Sequence, residues 1–230
     1  MRIIVLGSGA GGGFPQWNCN CPNCRGLRDG TIRARPRTQS SLAVSDGGGS
    51  WLLVNASPDL RAQIASCPPL QPARAIRDTA IAAVLLVDAQ IDHSTGLMTL
   101  REHRARLQVH CTPSVHADLT TGYPLLTVLE KYCGVDWHPI DAIGERPFEI
   151  PALPGLALHP LPIPSEAPPY SPRRHAPAPD DTIGLRFVDR ASGKSCFYAP
   201  GLATFTDRIR DEARRADCVL VDGTLWKDDE

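Results

Sequence analysis

The chain has 230 residues, 42% of them hydrophobic, with a net charge of -1. That length allows a substantial buried core. The charge gives no global attraction to nucleic acid or an anionic membrane, and apolar runs such as Ile81 to Val87 are far too short to cross a bilayer.

The opening Met-Arg-Ile-Ile-Val-Leu-Gly has no long apolar core or cleavage site of a secretory signal. It reads as a first strand of a cytoplasmic protein. No repeat or linker divides the chain, so one domain over residues 1–230 is expected. Strands are expected at Arg2–Leu6, Ser40–Val44, Trp51–Asn55, Ile81–Val87, Leu107–Cys111, Leu156–Leu161, Thr182–Val188, Ser195–Tyr198 and Cys218–Val221. Helices are expected at Pro58–Ala65, Ser94–Arg104, Pro113–Thr120 and Thr206–Arg215, with Ser57 and Thr206 at capping positions. Asp46-Gly47-Gly48-Gly49-Ser50 supplies a hairpin turn. Pro160 to Pro179 is too rich in proline for regular structure. Interleaved strands and helices point to a layered α/β or α+β architecture.

Gly7-Ser8-Gly9-Ala10-Gly11-Gly12 is a formal G-x-G-x-x-G match after a strand. A dinucleotide site needs a helix to open there. The following Phe14-Pro15-Gln16-Trp17 opens none, so a backbone-permissive loop near an active site is the better reading. Cys19, Cys21 and Cys24 form Cys-x-Cys-x-x-Cys. Clustered thiolates suit tetrahedral zinc, with a fourth ligand from a histidine of this chain or from beyond Glu230. A redox thiol pair and an iron–sulfur site are the alternatives. Cys67, Cys111, Cys133, Cys196 and Cys218 read as ordinary buried small residues.

Val84 to Leu97 carries the densest chemistry. An apolar strand ends in Asp88-Ala89-Gln90-Ile91-Asp92-His93. Metallo-β-lactamase-like proteins place His-x-His-x-Asp-His at such a strand end, and this segment resembles that motif with Asp88 and Gln90 in place of the two leading histidines. Asp92 and His93 remain as a hard oxygen and a nitrogen ligand, which suits one metal better than two. Asp88 and Gln90 are candidate oxygen donors or supporting groups. Asp222 closes another strand, as a ligand or as an ordinary Asp-Gly turn. Arg173-Arg174-His175 reads as a solvated charge run, with contact to substrate carboxylates as the alternative. The remaining histidines share no spacing.

Several blocks agree on one family. Gly7 to Cys19, Asn55-Ala56-Ser57-Pro58-Asp59-Leu60, Gln90 to Leu97, Ala167 to Pro172, Tyr198-Ala199-Pro200-Gly201-Leu202 and Val221 to Glu230 closely resemble the PqqB family of pyrroloquinoline quinone (PQQ) biosynthesis. The resemblance implies an αββα sandwich of the metallo-β-lactamase-like fold. It also implies structural Zn2+ at Cys19, Cys21 and Cys24, and a separate mononuclear site around Asp92 and His93. Similar proteins continue past the position of Glu230, so this chain is expected to lack a C-terminal part. A third active-site ligand, the fourth zinc ligand, or both are expected there.

Two functions follow from the resemblance. One is Fe2+-dependent hydroxylation of the tyrosine ring of a Glu–Tyr-derived PQQ precursor, with Asp92, His93 and Asp222 at the metal. The other is a carrier moving the quinone or its precursor toward the periplasm. Metal-dependent hydrolysis is a third reading, weakened by Asp88 and Gln90. The expected partners are the small-molecule precursor and other proteins of the pathway.

Overall fold

Side chains along Ser41–Ser45 (β2) and Trp51–Val54 (β3) alternate between two separate apolar clusters, and every residue of both strands is buried. Leu42, Val44, Leu52 and Val54 enter one cluster, while Ala43, Trp51 and Leu53 enter the other. A strand with period-two side chains and no polar face must be covered on both sides. That requirement defines the layers.

The computed structural model describes residues 1–221. Its first sheet has the order β1-β2-β3-β4-β5-β6, completed by Arg2–Gly7 (β1), Ile81–Leu85 (β4), Leu107–Cys111 (β5) and Val135–Pro139 (β6). β1, β2 and β3 are antiparallel neighbours, and β3 through β6 pair in parallel. The turn from β2 to β3 uses Gly47 and Gly49 at positive φ, where L side chains are strained. The second sheet has the order β10-β9-β8-β7, from Leu156–Pro162 (β7), Ile183–Asp189 (β8), Ser195–Ala199 (β9) and Cys218–Val221 (β10).

Leu42, Val44, Leu52, Val54 and Leu85 of the first sheet pack against Leu156, Leu158, Ile183, Leu185 and Phe187 of the second, forming the central core. The outer face of the first sheet is covered by Leu60–Ser66 (α2), Pro113–Thr120 (α4) and Leu125–Leu129 (α5) through Leu60, Val115, Leu119 and Leu126. Asp207–Arg215 (α6) covers the second sheet by its buried Ile209, which meets Phe197 and Ala199. Two helical layers enclosing two sheets make an αββα sandwich. The metallo-β-lactamase-like expectation is met.

Several details differ from the sequence reading. Pro22–Asp29 (α1), α5 and β6 were not foreseen. The helix expected over Ser94–Arg104 is a four-residue helix, Ile91–Ser94 (α3), followed by a 3-10 segment over Thr95–Glu102. Pro160 and Pro162 lie within β7; it ends its sheet's strand order, where a missing N–H is tolerated. Cys218 is exposed and Cys133 half-buried, unlike Cys67, Cys111 and Cys196.

Arg173 is no solvated charge. It pairs with Asp181 at 2.7 Å and Asp118 at 3.0 Å, both carboxylates being almost fully buried. Its Nη2 also donates to the Ser114 carbonyl, so it ties the proline-rich segment to α4. Among the described residues, no helix is long and apolar enough to cross a membrane.

Candidate metal centre

The centre is built where β4 leaves its ladder. Asn55, at φ 59°, follows β3 and donates its N–H to the Leu85 carbonyl. Its side-chain oxygen accepts from the Val87 N–H at 3.2 Å. The Val87 carbonyl accepts from Ile183 of the other sheet. Side chain and opposite sheet thus take the backbone groups that a neighbouring strand would otherwise bond, and the chain can turn at Asp88.

Four further bonds fold that turn back. Asp88 Oδ1 accepts from the Gln90 N–H at 2.9 Å, and Ser94 Oγ donates to the Gln90 carbonyl at 2.8 Å. The Ala56 N–H donates to the His93 carbonyl at 2.6 Å, and the Gly96 N–H donates to the Ala56 carbonyl at 2.8 Å. A Cβ on Gly96 would lie 2.0 Å from the Ser57 carbonyl oxygen. Only glycine permits so close an approach.

His93 is 6% exposed and Asp88 2%. His93 Nδ1 lies 2.8 and 2.9 Å from the two oxygens of Asp88. A carboxylate on Nδ1 places the proton there and makes Nε2 the lone-pair nitrogen. Nε2 is 4.0 Å from Asp92 Oδ2. Backbone walls close in behind both carboxylates: a Cβ on Gly11 would sit 3.3 Å from Asp92 Oδ2, and one on Gly201 3.4 Å from Asp88 Oδ2. The glycine-rich loop therefore borders the centre, and no helix opens after it until Pro22. Gln90 reaches across to the Glu166 carbonyl at 3.5 Å, and the Tyr170 hydroxyl donates to the Ala89 carbonyl. Burial first, then the nearby Asp118 and Asp88, hold that phenol well above its ordinary range.

The three clustered cysteines meet as well. The Sγ atoms of Cys19, Cys21 and Cys24 all lie within 4.8 Å of one another. Cys21 caps α1, its sulfur accepting from the Cys24 N–H at 3.4 Å. That bond first, with the neighbouring Cys19 thiol, lowers the Cys21 pKa. Arg28 of α1 donates to the carbonyls of Gln16 and Cys19, folding the loop onto the helix. Asp222 lies outside the described residues.

Both clusters line one cleft of about 1460 Å³ between the glycine-rich loop and the β4 turn. Arg33, Arg35 and Arg37 line it too. Sequence reasoning missed these three, although their i, i+2, i+4 spacing was a readable signal. Several other histidines serve packing: His110 stacks on His138 at 4.5 Å and His116 on Trp137 at 3.8 Å.

Facing sheets between helical layers, with a carboxylate–imidazole cluster after β4, define the metallo-β-lactamase class; residues 50–230 match the beta-lactamase superfamily domain. The matched span begins after the cysteine cluster and the glycine-rich loop. Coenzyme PQQ synthesis protein B of Stutzerimonas stutzeri is 59% identical over 230 residues, spanning 100% of this chain and 75% of that protein. That of Cupriavidus taiwanensis is 60% identical over 228 residues, spanning 99% and 74%. The crystal structure of Zn(2+)-bound PqqB from Methylobacterium extorquens superposes with a TM-score of 0.85 at 35% identity, covering 100% of this chain and 75% of that one. A diphosphatase of the PhnP family shares the fold at 19% identity and a TM-score of 0.67. The chain belongs to the coenzyme PQQ synthesis protein B family.

Proposed function

We propose that this chain acts in PQQ biosynthesis as a mononuclear, Fe2+-dependent hydroxylase of the tyrosine ring of a Glu–Tyr-derived precursor. The observation that carries the reading is the bond from His93 to Asp88. Where dinuclear relatives of the fold carry a leading histidine ligand, this chain has a carboxylate that orients another ligand. That arrangement favours one ion with open positions over a dinuclear hydrolytic centre.

The donors fit the metals. Ligands about 2.1 Å from one ion are about 3.0 to 3.4 Å apart at right-angle or tetrahedral positions, so Asp92 Oδ2 and His93 Nε2, separated by 4.0 Å, need to close by about 1 Å or less. Thiolates on tetrahedral zinc are about 3.8 Å apart, so the cysteine cluster needs only a small contraction. We assign structural Zn2+ to Cys19, Cys21 and Cys24, in keeping with the Zn(2+)-bound relative. The active-site ion is assigned to Asp92 and His93, with Asp222 as a third ligand.

A ferrous ion with open coordination positions supplies oxygen activation when bound. Each ring hydroxylation adds one oxygen atom and requires two electrons and two protons from a reductant to release the other as water. Asp88 keeps the His93 proton on Nδ1 throughout. Tyr170 fastens the proline-rich segment to the turn through the Ala89 carbonyl.

The test is mass spectrometry after anaerobic loading with Fe2+, then exposure to oxygen, a reductant and the tyrosine-containing diacid. Oxygen added by the chain and not by His93→Ala supports the reading. Precursor that binds equally to both forms and is returned unchanged would overturn it in favour of the carrier.

A further inference from the structure

Arg33, Arg35 and Arg37 face the same cleft as Asp92 and His93, and all three are exposed. The segment forms no helix, and Pro36 biases Arg35 toward an extended conformation. Side chains at i, i+2 and i+4 then share one side. The strip's C-terminal end is fixed in place: Arg37 and Phe14 exchange backbone hydrogen bonds at 2.7 and 2.8 Å, and the Gly9 N–H donates to the Thr38 carbonyl at 2.8 Å. Arg37 also reaches Ser8 Oγ at 3.1 Å.

No carboxylate among the described residues pairs with any of these guanidinium groups. Other arginines on the molecule are matched, such as Arg106 by Glu130 and Asp136, Arg173 by Asp118 and Asp181, and Arg186 by Glu212. Three cations lining a cleft, none of them paired with a carboxylate among the described residues, call for an anionic ligand. Their Cα atoms span about 13 Å from first to last in extended chain. That spacing suits an anion whose charges are spread along it better than one compact phosphate. Guanidinium groups are also well shaped for paired hydrogen bonds to carboxylates.

We propose that Arg33, Arg35 and Arg37 form the carboxylate-recognition strip of the substrate site, selecting a small molecule with two or more carboxylates. The inference rests on the reading of the cleft as the substrate site. It also sets orientation. Among the described residues the arginines are the cleft's unpaired cations, so the charged end of the ligand lies on them and its ring is directed toward Asp92 and His93 on the same cleft.

The test is equilibrium binding to the metal-loaded chain, using PQQ, a tricarboxylate, and its trimethyl ester as probes. Arg33→Gln and Arg35→Gln each raise the Kd for the acid about tenfold, and the double variant raises it further. Arg35→Lys retains part of the affinity, and binding of the acid weakens with salt. Circular dichroism checks that these exposed substitutions leave the fold intact. Unchanged Kd values in the variants, or an ester that binds as tightly as the acid, would overturn the strip. So would failure of the parent chain to bind the acid. Oxygen addition is scored in parallel on the tyrosine-containing diacid. Arginine variants that lose the acid, with no oxygen added by the parent chain, leave the strip standing and remove the hydroxylase. Oxygen added with the same KM by parent and variants does the reverse.

Discussion

Both oxygens of Asp88 lie within 2.9 Å of His93 Nδ1, and both residues are buried. The imidazole is thereby fixed in ring plane and tautomer before any ion arrives. Removing such a partner of a ligating histidine costs about 10–100-fold in metal affinity. Asp88→Ala should weaken Fe2+ binding by that factor in competition with a chromophoric chelator. Unchanged affinity would remove Asp88 from any positioning role.

Cysteine at position 21 does two jobs that one substitution separates. Serine is a good helix cap but a poor zinc ligand at neutral pH. Cys21→Ser should therefore keep α1 capped while the protein loses one equivalent of zinc, read by elemental analysis after gel filtration. Retention of that zinc would break the assignment of the cluster.

Gly96 holds the His93 turn against β3. Gly96→Ala would push a methyl group into the Ser57 carbonyl, 2.0 Å away. Backbone on both sides is hydrogen-bonded and has little freedom to give. A loss of about 3 kcal/mol in urea unfolding is expected; a loss near zero would mean that the turn shifts without cost.

Arg173 neutralises two carboxylates that water does not reach. Arg173→Met leaves Asp118 and Asp181 buried without their cation, at a cost of about 3–5 kcal/mol. Asp118 is already pushed upward by burial. Adding Asp118→Asn and Asp181→Asn to the methionine variant should recover much of the loss, and equal destabilisation of the triple variant would contradict the account.

His110 sets a pH dependence. Burial first, then the neighbouring His138, lower its pKa from 6.5 to about 4. The unfolded chain thus takes up a proton near pH 6.5 that the folded chain refuses until about 4, so the stability associated with neutral His110 falls as pH drops through that window. Between pH 6.5 and 5.5 the contribution is about 1 kcal/mol. Unfolding free energies of the parent and His110→Phe should converge by that amount over this interval. Parallel curves would show that His110 does not titrate differently on folding.

Much of the fold could be read locally. β2, β3, β5 and β9 lie within a residue or two of their expected positions because each is a short, largely apolar run bounded by turn-forming or polar residues. β6 was missed because Val135-Asp136-Trp137-His138-Pro139 is half polar; its pairing with β5 decides it. The helix expected after Ser94 tightened into a 3-10 segment where Gly96 packs against the Ala56–Ser57 backbone. No pattern in residues 94–104 encodes that contact.

By itself the sequence determined the donor chemistry: three thiols within six residues, an Asp-His pair at a strand end, and the absence of the two leading histidines. Those are matters of residue type and short spacing, which a chain carries wherever it goes. Only the tertiary structure decided that Asp88 serves His93, that Arg173 is an internal counter-ion, and that Arg33, Arg35 and Arg37 face the cleft. Each depends on which distant segments the two sheets bring within about 4 Å of each other, where hydrogen bonds and desolvated charge begin to count.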